Sequence, residues 1–162
     1  MLVGLMGSGK TAVGELLAGR CARPFVDNDQ LLEQRTGVAA ADLAESAGPD
    51  ALHAAEREVL EEALSDDEEA VVGAAASVID DPSIGRILEP HVVVWLSADP
   101  ATLAERVREP GHRPFLDDDP EAVLRQQAED RSPRFAAVAD IVVDTTELEP
   151  PEVVDRIVSE LE

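Results

Sequence analysis

The chain has 162 residues and a mass of 17.3 kDa, which suits one domain with a single hydrophobic core. Hydrophobic residues make up 44% of the sequence, while the formal net charge is −22 at pH 7. A surface this acidic disfavours nonspecific binding to nucleic acids and to anionic membranes, because both are polyanions. The charge fits either a salt-rich habitat or an ordinary solvated surface, and composition alone does not separate the two.

The cysteine count and the lengths of the apolar runs bear on disulfides, membrane insertion and cellular compartment. Cys21 is the single cysteine, so an intrachain disulfide and a cysteine-based metal cluster are both excluded. No apolar run approaches the roughly 18 residues that a membrane-spanning helix needs. The sequence also starts without the basic segment of a signal peptide. We therefore expect a cytoplasmic protein that binds neither membranes nor nucleic acids.

Short β-branched runs alternate with helical stretches, which predicts an α/β domain with a mainly parallel sheet. The predicted strands are residues 1–3, 24–26, 70–72, 92–96 and 141–143. The predicted helices are residues 10–20, 27–35, 39–46, 49–64, 100–107, 120–131 and 151–161. The acidic run 65–69 is expected to be a solvated turn. Residues 108–120, rich in proline and acidic side chains, are expected to form a mobile loop.

Residues 4–11 read Gly-Leu-Met-Gly-Ser-Gly-Lys-Thr and match the phosphate-binding pattern G-x-x-x-x-G-K-[ST] at every fixed position. Glycines let successive backbone N–H groups turn inward around phosphate oxygens, and a following helix N-terminus favours an anion. A lysine can reach the β- and γ-phosphates, and a threonine hydroxyl can bind Mg²⁺. The candidate nucleotide-binding residues are therefore Gly7, Ser8, Gly9, Lys10, Thr11 and Ala12.

The context of this motif supports a nucleotide site over an incidental glycine-rich turn. The motif follows an apolar strand and opens a helix, and Lys10 is the single lysine among 13 Lys and Arg residues. A guanine-reading GTPase would need a second lysine in an Asn/Thr-Lys-x-Asp pattern, and the chain is too short for the second domain of a motor ATPase. A small-molecule kinase is the favoured class.

Further motifs follow in order along the chain. Residues 25–29 read Phe-Val-Asp-Asn-Asp, a strand ending in Asp-x-Asp. Residues 48–56 are similar to G-x-x-x-F-R-x-x-E, residues 113–116 to R-P-L-L, residues 131–135 to R-x-P-x-Y, and residues 139–145 to the last seven positions of V-A-x-x-x-V-D-T. Together with the phosphate-binding motif, this order and spacing resembles the shikimate kinase family over nearly the whole chain.

The resemblance implies a three-layer α/β fold in which helices flank a five-stranded parallel sheet. The phosphate-binding loop would lie at the carboxyl end of the first strand. Residues 1–162 would form one domain, with a mobile lid at about 108–120. It also implies ATP- and Mg²⁺-dependent phosphoryl transfer to a hydroxyl of a small hydroxylated carboxylic acid. We expect a monomer or a weak dimer.

Carried over by position, the resemblance assigns roles to individual residues. Lys10 and Thr11 would hold the ATP phosphates and Mg²⁺, Asp27 would order the metal through water, and Asp29 would orient or deprotonate the acceptor hydroxyl. The alternative for Asp27 and Asp29 is a cap on the following helix. Arg113 would close over the γ-phosphate with the lid, the alternative being an ordinary surface arginine.

The acceptor side departs from the family pattern. Arg131 would pair with an acceptor carboxylate, unless it forms a salt bridge at a helix end. His53 stands at the family's arginine, and a neutral imidazole lacks the five-donor fork. Residues 73–77 replace a Gly-Gly-Gly stretch, so the alanines add Cβ atoms where a positive φ would be costly. We retain His53 and Ala75, with Asp29 and Arg131, as the candidate acceptor residues. Phe135 replaces the family tyrosine.

These departures leave three functions open. The chain is a shikimate kinase, a related kinase with another hydroxylated acceptor, or a nucleotide-binding protein with little kinase activity and a regulatory or partner-binding role. The sequence also leaves open whether Arg106 or Arg108 contacts adenine.

Overall fold

The computed structural model describes residues 1–65, 69–108 and 119–162. The strands in these ranges are β1 (Leu2–Val3), β2 (Phe25–Asp27), β3 (Val71–Gly73), β4 (Val94–Ser97) and β5 (Ile141–Asp144). The α-helices are α1 (Lys10–Cys21), α2 (Asn28–Thr36), α3 (Ala40–Ala47), α4 (Pro49–Ser65), α5 (Ile84–Leu88), α6 (Pro100–Val107), α7 (Pro120–Val138) and α8 (Pro150–Leu161). A 3₁₀ helix spans Ala76–Asp80.

The five strands form one sheet in the order β2-β3-β1-β4-β5, and every pairing is parallel. Although β1 has only two residues, it lies at the centre, where Leu2 pairs with both Gly73 and Val94. The predicted five-stranded parallel sheet is therefore confirmed. The strand order reverses beside β1, which is where parallel α/β sheets bind ligands.

Alternating side chains of the strands bury both faces of the sheet. Leu2 packs into a cluster with side chains of α1 and α8, whereas the next residue, Val3, packs on the opposite face. The opposite cluster draws on α4, α6 and α7 through Leu60, Leu103, Leu124 and Phe135. The predicted three-layer arrangement follows from this alternation.

The predicted helix 120–131, which corresponds to α7, ends too early. Helix α7 continues through Pro133 to Val138, although proline removes a backbone donor and crowds the preceding turn. Phe135, which is 1% exposed and stacks on Trp95 with the ring centroids 5.8 Å apart, fixes the last turns against the core. Tertiary packing thus outweighs the local preference. The 3₁₀ helix and α5 were also not predicted, because both are too short to show a periodic pattern.

Two expectations fall on residues outside the described ranges. They are the central part of the turn at 65–69 and almost all of the lid at 108–120, including Arg113. Among the residues that the structure does describe, no helix combines the length and apolar character needed to cross a membrane.

Candidate active site

The phosphate-binding loop connects the carboxyl end of β1 to the first turn of α1. Gly7 and Gly9 have φ angles of +81° and +93°, which side-chain-bearing residues rarely adopt. A Cβ on Gly7 would also lie 2.8 Å from the carbonyl oxygen of Leu103. Of these two glycines, the motif requires only Gly9. The requirement for glycine at position 7 follows from its close contact with α6.

The beginning of α1 is open to an anion. Within the described ranges no side chain caps this helix, whose N-cap residue is Gly9. The first N–H groups of a helix, here those of Lys10, Thr11 and Ala12, have no partner within the helix. Ser8 is 1% exposed and lies close to Gly4, so its side chain is on the buried side of the loop. This cradle fits a phosphate group.

Lys10 and Thr11 extend from the start of α1 in different directions. The Lys10 ammonium group lies across the loop and donates hydrogen bonds to the carbonyl oxygens of Gly4 (2.9 Å) and Leu5 (3.0 Å). The Thr11 hydroxyl donates to Oδ2 of Asp27 at 2.9 Å. The predicted lysine and the two predicted metal-binding residues are therefore assembled around the same loop.

Asp27 ends β2 and uses both carboxylate oxygens. Its Oδ1 accepts hydrogen bonds from the backbone N–H groups of Asp29 (3.0 Å) and Gln30 (3.3 Å), which caps α2. Its Oδ2 accepts the Thr11 hydroxyl. The cap and the contact with the phosphate-binding loop therefore coexist in one side chain. Asp29 lies in the first turn of α2, two residues after Asp27.

Near the predicted acceptor residues, Glu56 of α4 contacts both α2 and the 3₁₀ helix. Its side chain, 4% exposed, accepts a hydrogen bond from the Ser77 hydroxyl, and its backbone carbonyl accepts one from Asn28 Nδ2 at 3.2 Å. His53 lies one turn earlier on α4 and is exposed. Ala75 is buried with a φ of −60°.

The backbone strain expected at the alanines is absent. Ala22 is the single non-glycine residue with positive φ in the described part of the chain. Residues 74–76 therefore hold their Cβ atoms in an ordinary backbone conformation.

Arg131, the predicted partner of an acceptor carboxylate, contacts Asp80 at the end of the 3₁₀ helix. Its Nε and Nη2 lie 3.0 and 2.7 Å from Asp80 Oδ2. Arg134 Nη1 donates to Asp80 Oδ1 at 2.7 Å. The alternative interpretation of Arg131 as an ion-pairing residue is thus realised in the structure, and its role toward an acceptor stays a prediction. Asp80 was not predicted, because it carries no motif.

Arg106 and Thr145 join the phosphate-binding loop to the end of β5. Arg106 donates to the carbonyl oxygens of Gly7 (3.3 Å) and Thr145 (2.6 Å) and to the Thr145 hydroxyl (3.1 Å). Thr145 is 2% exposed, whereas Arg108 is an exposed residue. The sequence left open whether Arg106 or Arg108 contacts adenine. Of the two, Arg106 is the arginine that contacts the phosphate-binding loop.

The turn that follows β5 is held by the carboxylate of Asp144, whose pKa is lowered. Asp144 Oδ1 accepts hydrogen bonds from the hydroxyl (2.6 Å) and the backbone N–H (2.9 Å) of Thr146. These two bonds, with smaller contributions from the charges of Arg156 and Arg106, hold the pKa of Asp144 below its usual value. The ionised carboxylate thus fixes the turn that leads into α8.

Known proteins match this chain over its whole length. Residues 6–162 match the shikimate kinase family. A shikimate kinase of Symbiobacterium thermophilum is 38% identical, with 100% of this chain and 95% of that protein covered. A shikimate kinase of Dechloromonas aromatica is 34% identical, with 98% and 87% covered.

A solved structure agrees with these sequence matches. The shikimate kinase from Acinetobacter baumannii in complex with shikimate superposes with a TM-score of 0.93 at 28% identity. The superposition covers 99% of this chain and 90% of that chain. Sequence, fold and the geometry of the phosphate-binding loop agree, and the chain belongs to the shikimate kinase family.

Proposed function

We propose that the protein transfers the γ-phosphoryl group of ATP to a hydroxyl of shikimate, with Mg²⁺ as its metal. The observation that carries the proposal is the hydrogen bond between Thr11 and Asp27. It joins the phosphate-binding loop to the beginning of α2, where Asp29 lies. The residues proposed for the nucleotide and for the acceptor therefore share one edge of the sheet. The family match over residues 6–162 supports shikimate as the acceptor.

The nucleotide half of the reaction rests on the loop and its lysine. The N–H groups at the start of α1 would bind phosphate oxygens, and Lys10 would exchange its two carbonyl partners for the transferred phosphoryl group. Arg106 holds the outer side of the loop through Gly7. Such positioning and charge neutralisation supply most of the catalysis in phosphoryl transfer.

The residues at the loop fit Mg²⁺. Thr11 offers a hydroxyl and Asp27 a carboxylate, both hard oxygen ligands. The described residues contain no group of three or more His, Cys, Asp or Glu that would hold a metal by itself. This fits Mg²⁺, which commonly takes one or two protein ligands and completes its shell with phosphate oxygens and water. When bound, the metal neutralises charge on the phosphates.

The acceptor half would lie between α2, α4 and α7. Asp29 would orient the acceptor hydroxyl or accept its proton, and Arg131 would pair with the carboxylate. His53 and Ala75 would border the acceptor. Arg113, outside the described residues, would close over the γ-phosphate and exclude water.

We also propose a cytoplasmic protein that acts as a monomer or a weak dimer. The reaction needs ATP, and Cys21 carries a free thiol on the surface, which suits a reducing compartment.

A coupled assay of ADP release tests the proposed reaction. Shikimate, quinate and gluconate are compared as acceptors at saturating MgATP, with Lys10→Ala as the matched inactive variant. We expect saturable turnover with shikimate, the highest kcat/KM of the three, and at least about a 100-fold loss in Lys10→Ala. Tight ATP binding without turnover of any acceptor would contradict the kinase assignment, and a higher kcat/KM for another acid would contradict shikimate as the substrate.

A further inference from the structure

The guanidinium of Arg131 is occupied by groups of the chain itself. Asp80 accepts hydrogen bonds from Nε and Nη2, and Gln127 Oε1 lies 3.4 Å from Nη1. A guanidinium offers two edges that can bind a carboxylate through two parallel hydrogen bonds. One edge is filled by Asp80 and the other has Gln127 as a partner. A carboxylate from solution therefore reaches a two-bond contact only by displacing an existing partner.

The contact between Arg131 and Asp80 is shielded from solvent. The Arg131 side chain is 16% exposed and the Asp80 side chain 30% exposed. Water and salt screen a pair in this setting less than they screen a pair on the open surface. The negative charge of Asp80 consequently acts on any second carboxylate that approaches Arg131.

Asp80 has a second cationic partner, Arg134, which would still pair with it if the Arg131 side chain moved away. Arg134, one turn along α7, donates to Oδ1 of Asp80 at 2.7 Å, whereas the shorter contact of Arg131 is to Oδ2. The Arg134 side chain is 53% exposed. If Arg131 turned to another carboxylate, Asp80 would keep an ion pair and would not be left as a partly buried unpaired charge.

We propose that Asp80 is a specificity-determining residue that competes with the carboxylate of the acceptor for Arg131. Asp80 holds the guanidinium in the acceptor-free protein and yields it when the acceptor binds, so that it raises the KM for an acidic acceptor and leaves a neutral acceptor unaffected. This inference rests on the proposed function, in which Arg131 binds the acceptor carboxylate. The exposed His53 adds no second arginine fork there.

The neighbouring residue offers a matched control. Asp81 carries the same charge one position along the chain, but its carboxylate pairs with Arg57 at 2.9 Å and accepts hydrogen bonds from Ser83. Asp80→Asn and Asp81→Asn thus remove equal charge from the same turn, and only the first removes the competitor of Arg131. Thermal unfolding of both variants verifies that they are folded.

Steady-state kinetics at saturating MgATP test the proposal with shikimate and with its uncharged methyl ester. We expect Asp80→Asn to lower the KM for shikimate by about three- to tenfold, with the KM for the ester and the KM for ATP unchanged. Asp81→Asn should leave the KM for shikimate within about twofold of wild type.

A second variant, Arg134→Gln, is expected to change the KM for shikimate in the opposite direction. Arg134→Gln removes the partner that retains Asp80, so the KM for shikimate should rise by about two- to fivefold. In the Asp80→Asn background the same substitution should have no effect, because the competitor is already gone.

The outcomes separate this inference from the proposed function. Absence of shikimate turnover by the wild-type protein would refute both. Turnover by the wild type, with a raised KM for shikimate in Asp80→Asn, would show that Asp80 positions Arg131 and does not compete for it. An unchanged KM, or an equal fall for the methyl ester or in Asp81→Asn, would likewise overturn the competition.

Discussion

Asp27 shows how one side chain serves both the fold and the site. One carboxylate oxygen caps α2 and the other accepts the Thr11 hydroxyl. The sequence offered a cap and a metal-binding role as alternatives, yet two oxygens allow both. Asp29, whose backbone N–H donates to that cap, is predicted to act through its side chain. The two aspartates should therefore respond differently to the same substitution.

Asp29→Asn should lower kcat by about a hundredfold to ten-thousandfold, because an amide neither accepts the hydroxyl proton nor orients it as a carboxylate does. The KM for MgATP should stay near the wild-type value. Asp27→Asn is the matched variant, and it should raise the Mg²⁺ concentration that gives half-maximal rate. Measurement of kcat across a Mg²⁺ titration distinguishes them. Normal kcat in Asp29→Asn would leave this residue without a role in transfer.

At the scale of elements, α7 connects the acceptor side to the core. Its early turns begin at Pro120, its middle carries Arg131 and Arg134, and its end is fixed by Phe135 against Trp95. The helix runs through Pro133 at a local cost, since proline lacks the N–H that would bond to the preceding turn. The ion pairs with Asp80 and the buried ring keep the helix continuous.

Pro133→Ala should stabilise the protein by about 1 kcal/mol, because the regained helical hydrogen bond outweighs the added freedom of the unfolded chain. Urea unfolding followed by the fluorescence of Trp95 measures the change. Phe135→Ala provides the contrast and should destabilise by about 3–5 kcal/mol. A loss of stability in Pro133→Ala would mean that the proline ring itself contributes packing that alanine does not replace.

The turn between β5 and α8 depends on an ionised carboxylate. The pKa of Asp144 is lowered from its ordinary value of 3.8 by the hydrogen bonds from Thr146. A carboxyl whose pKa is lower in the folded than in the unfolded state stabilises the fold above the unfolded value. That stabilisation is lost as the pH falls through the folded pKa.

Asp144→Asn should therefore have a lower Tm than wild type at neutral pH, and the difference should shrink as the pH falls below 3.8. Differential scanning calorimetry at several pH values follows the difference. Thr146→Val, which removes only the hydroxyl donor, should show the same trend with a smaller amplitude. A Tm difference that is independent of pH would assign the effect to packing.

For the whole molecule, the net charge of −22 opposes both the compact fold and the approach of anionic substrates. Among the residues that the structure describes, three cations near the candidate site offset that field. Lys10 lies across the phosphate-binding loop, Arg106 contacts its outer side, and Arg131 is already paired with Asp80. Binding of ATP must therefore rely on local groups acting against the global potential.

Raising sodium chloride from about 0.1 M to about 1 M shortens the Debye length from about 10 Å to about 3 Å. The weakened repulsion should raise the Tm and lower the KM for MgATP, as thermal unfolding and initial-rate kinetics would show. A non-ionic osmolyte such as sucrose is the control, and it should leave the KM unchanged. A KM that rises steadily with salt would mean that the local cations dominate the long-range field.

The sequence by itself determined the fold class, the nucleotide loop and the order of the strands and of seven of the eight α-helices in the described ranges. These features are written in contiguous residues, namely the motif of residues 4–11, the β-branched runs and the helical periodicity. The same local rules misplaced the end of α7, because the packing of Phe135 overrides the effect of Pro133.

Only the tertiary structure decided the surroundings of the site. Arg131 meets Asp80 across 51 positions, Ser77 meets Glu56 across 21, and Arg106 meets Gly7 across 99. No periodic pattern or motif records these contacts, since each depends on how distant segments pack on the two faces of the sheet. Whether a cation is available to a ligand or paired within the chain is a property of that packing.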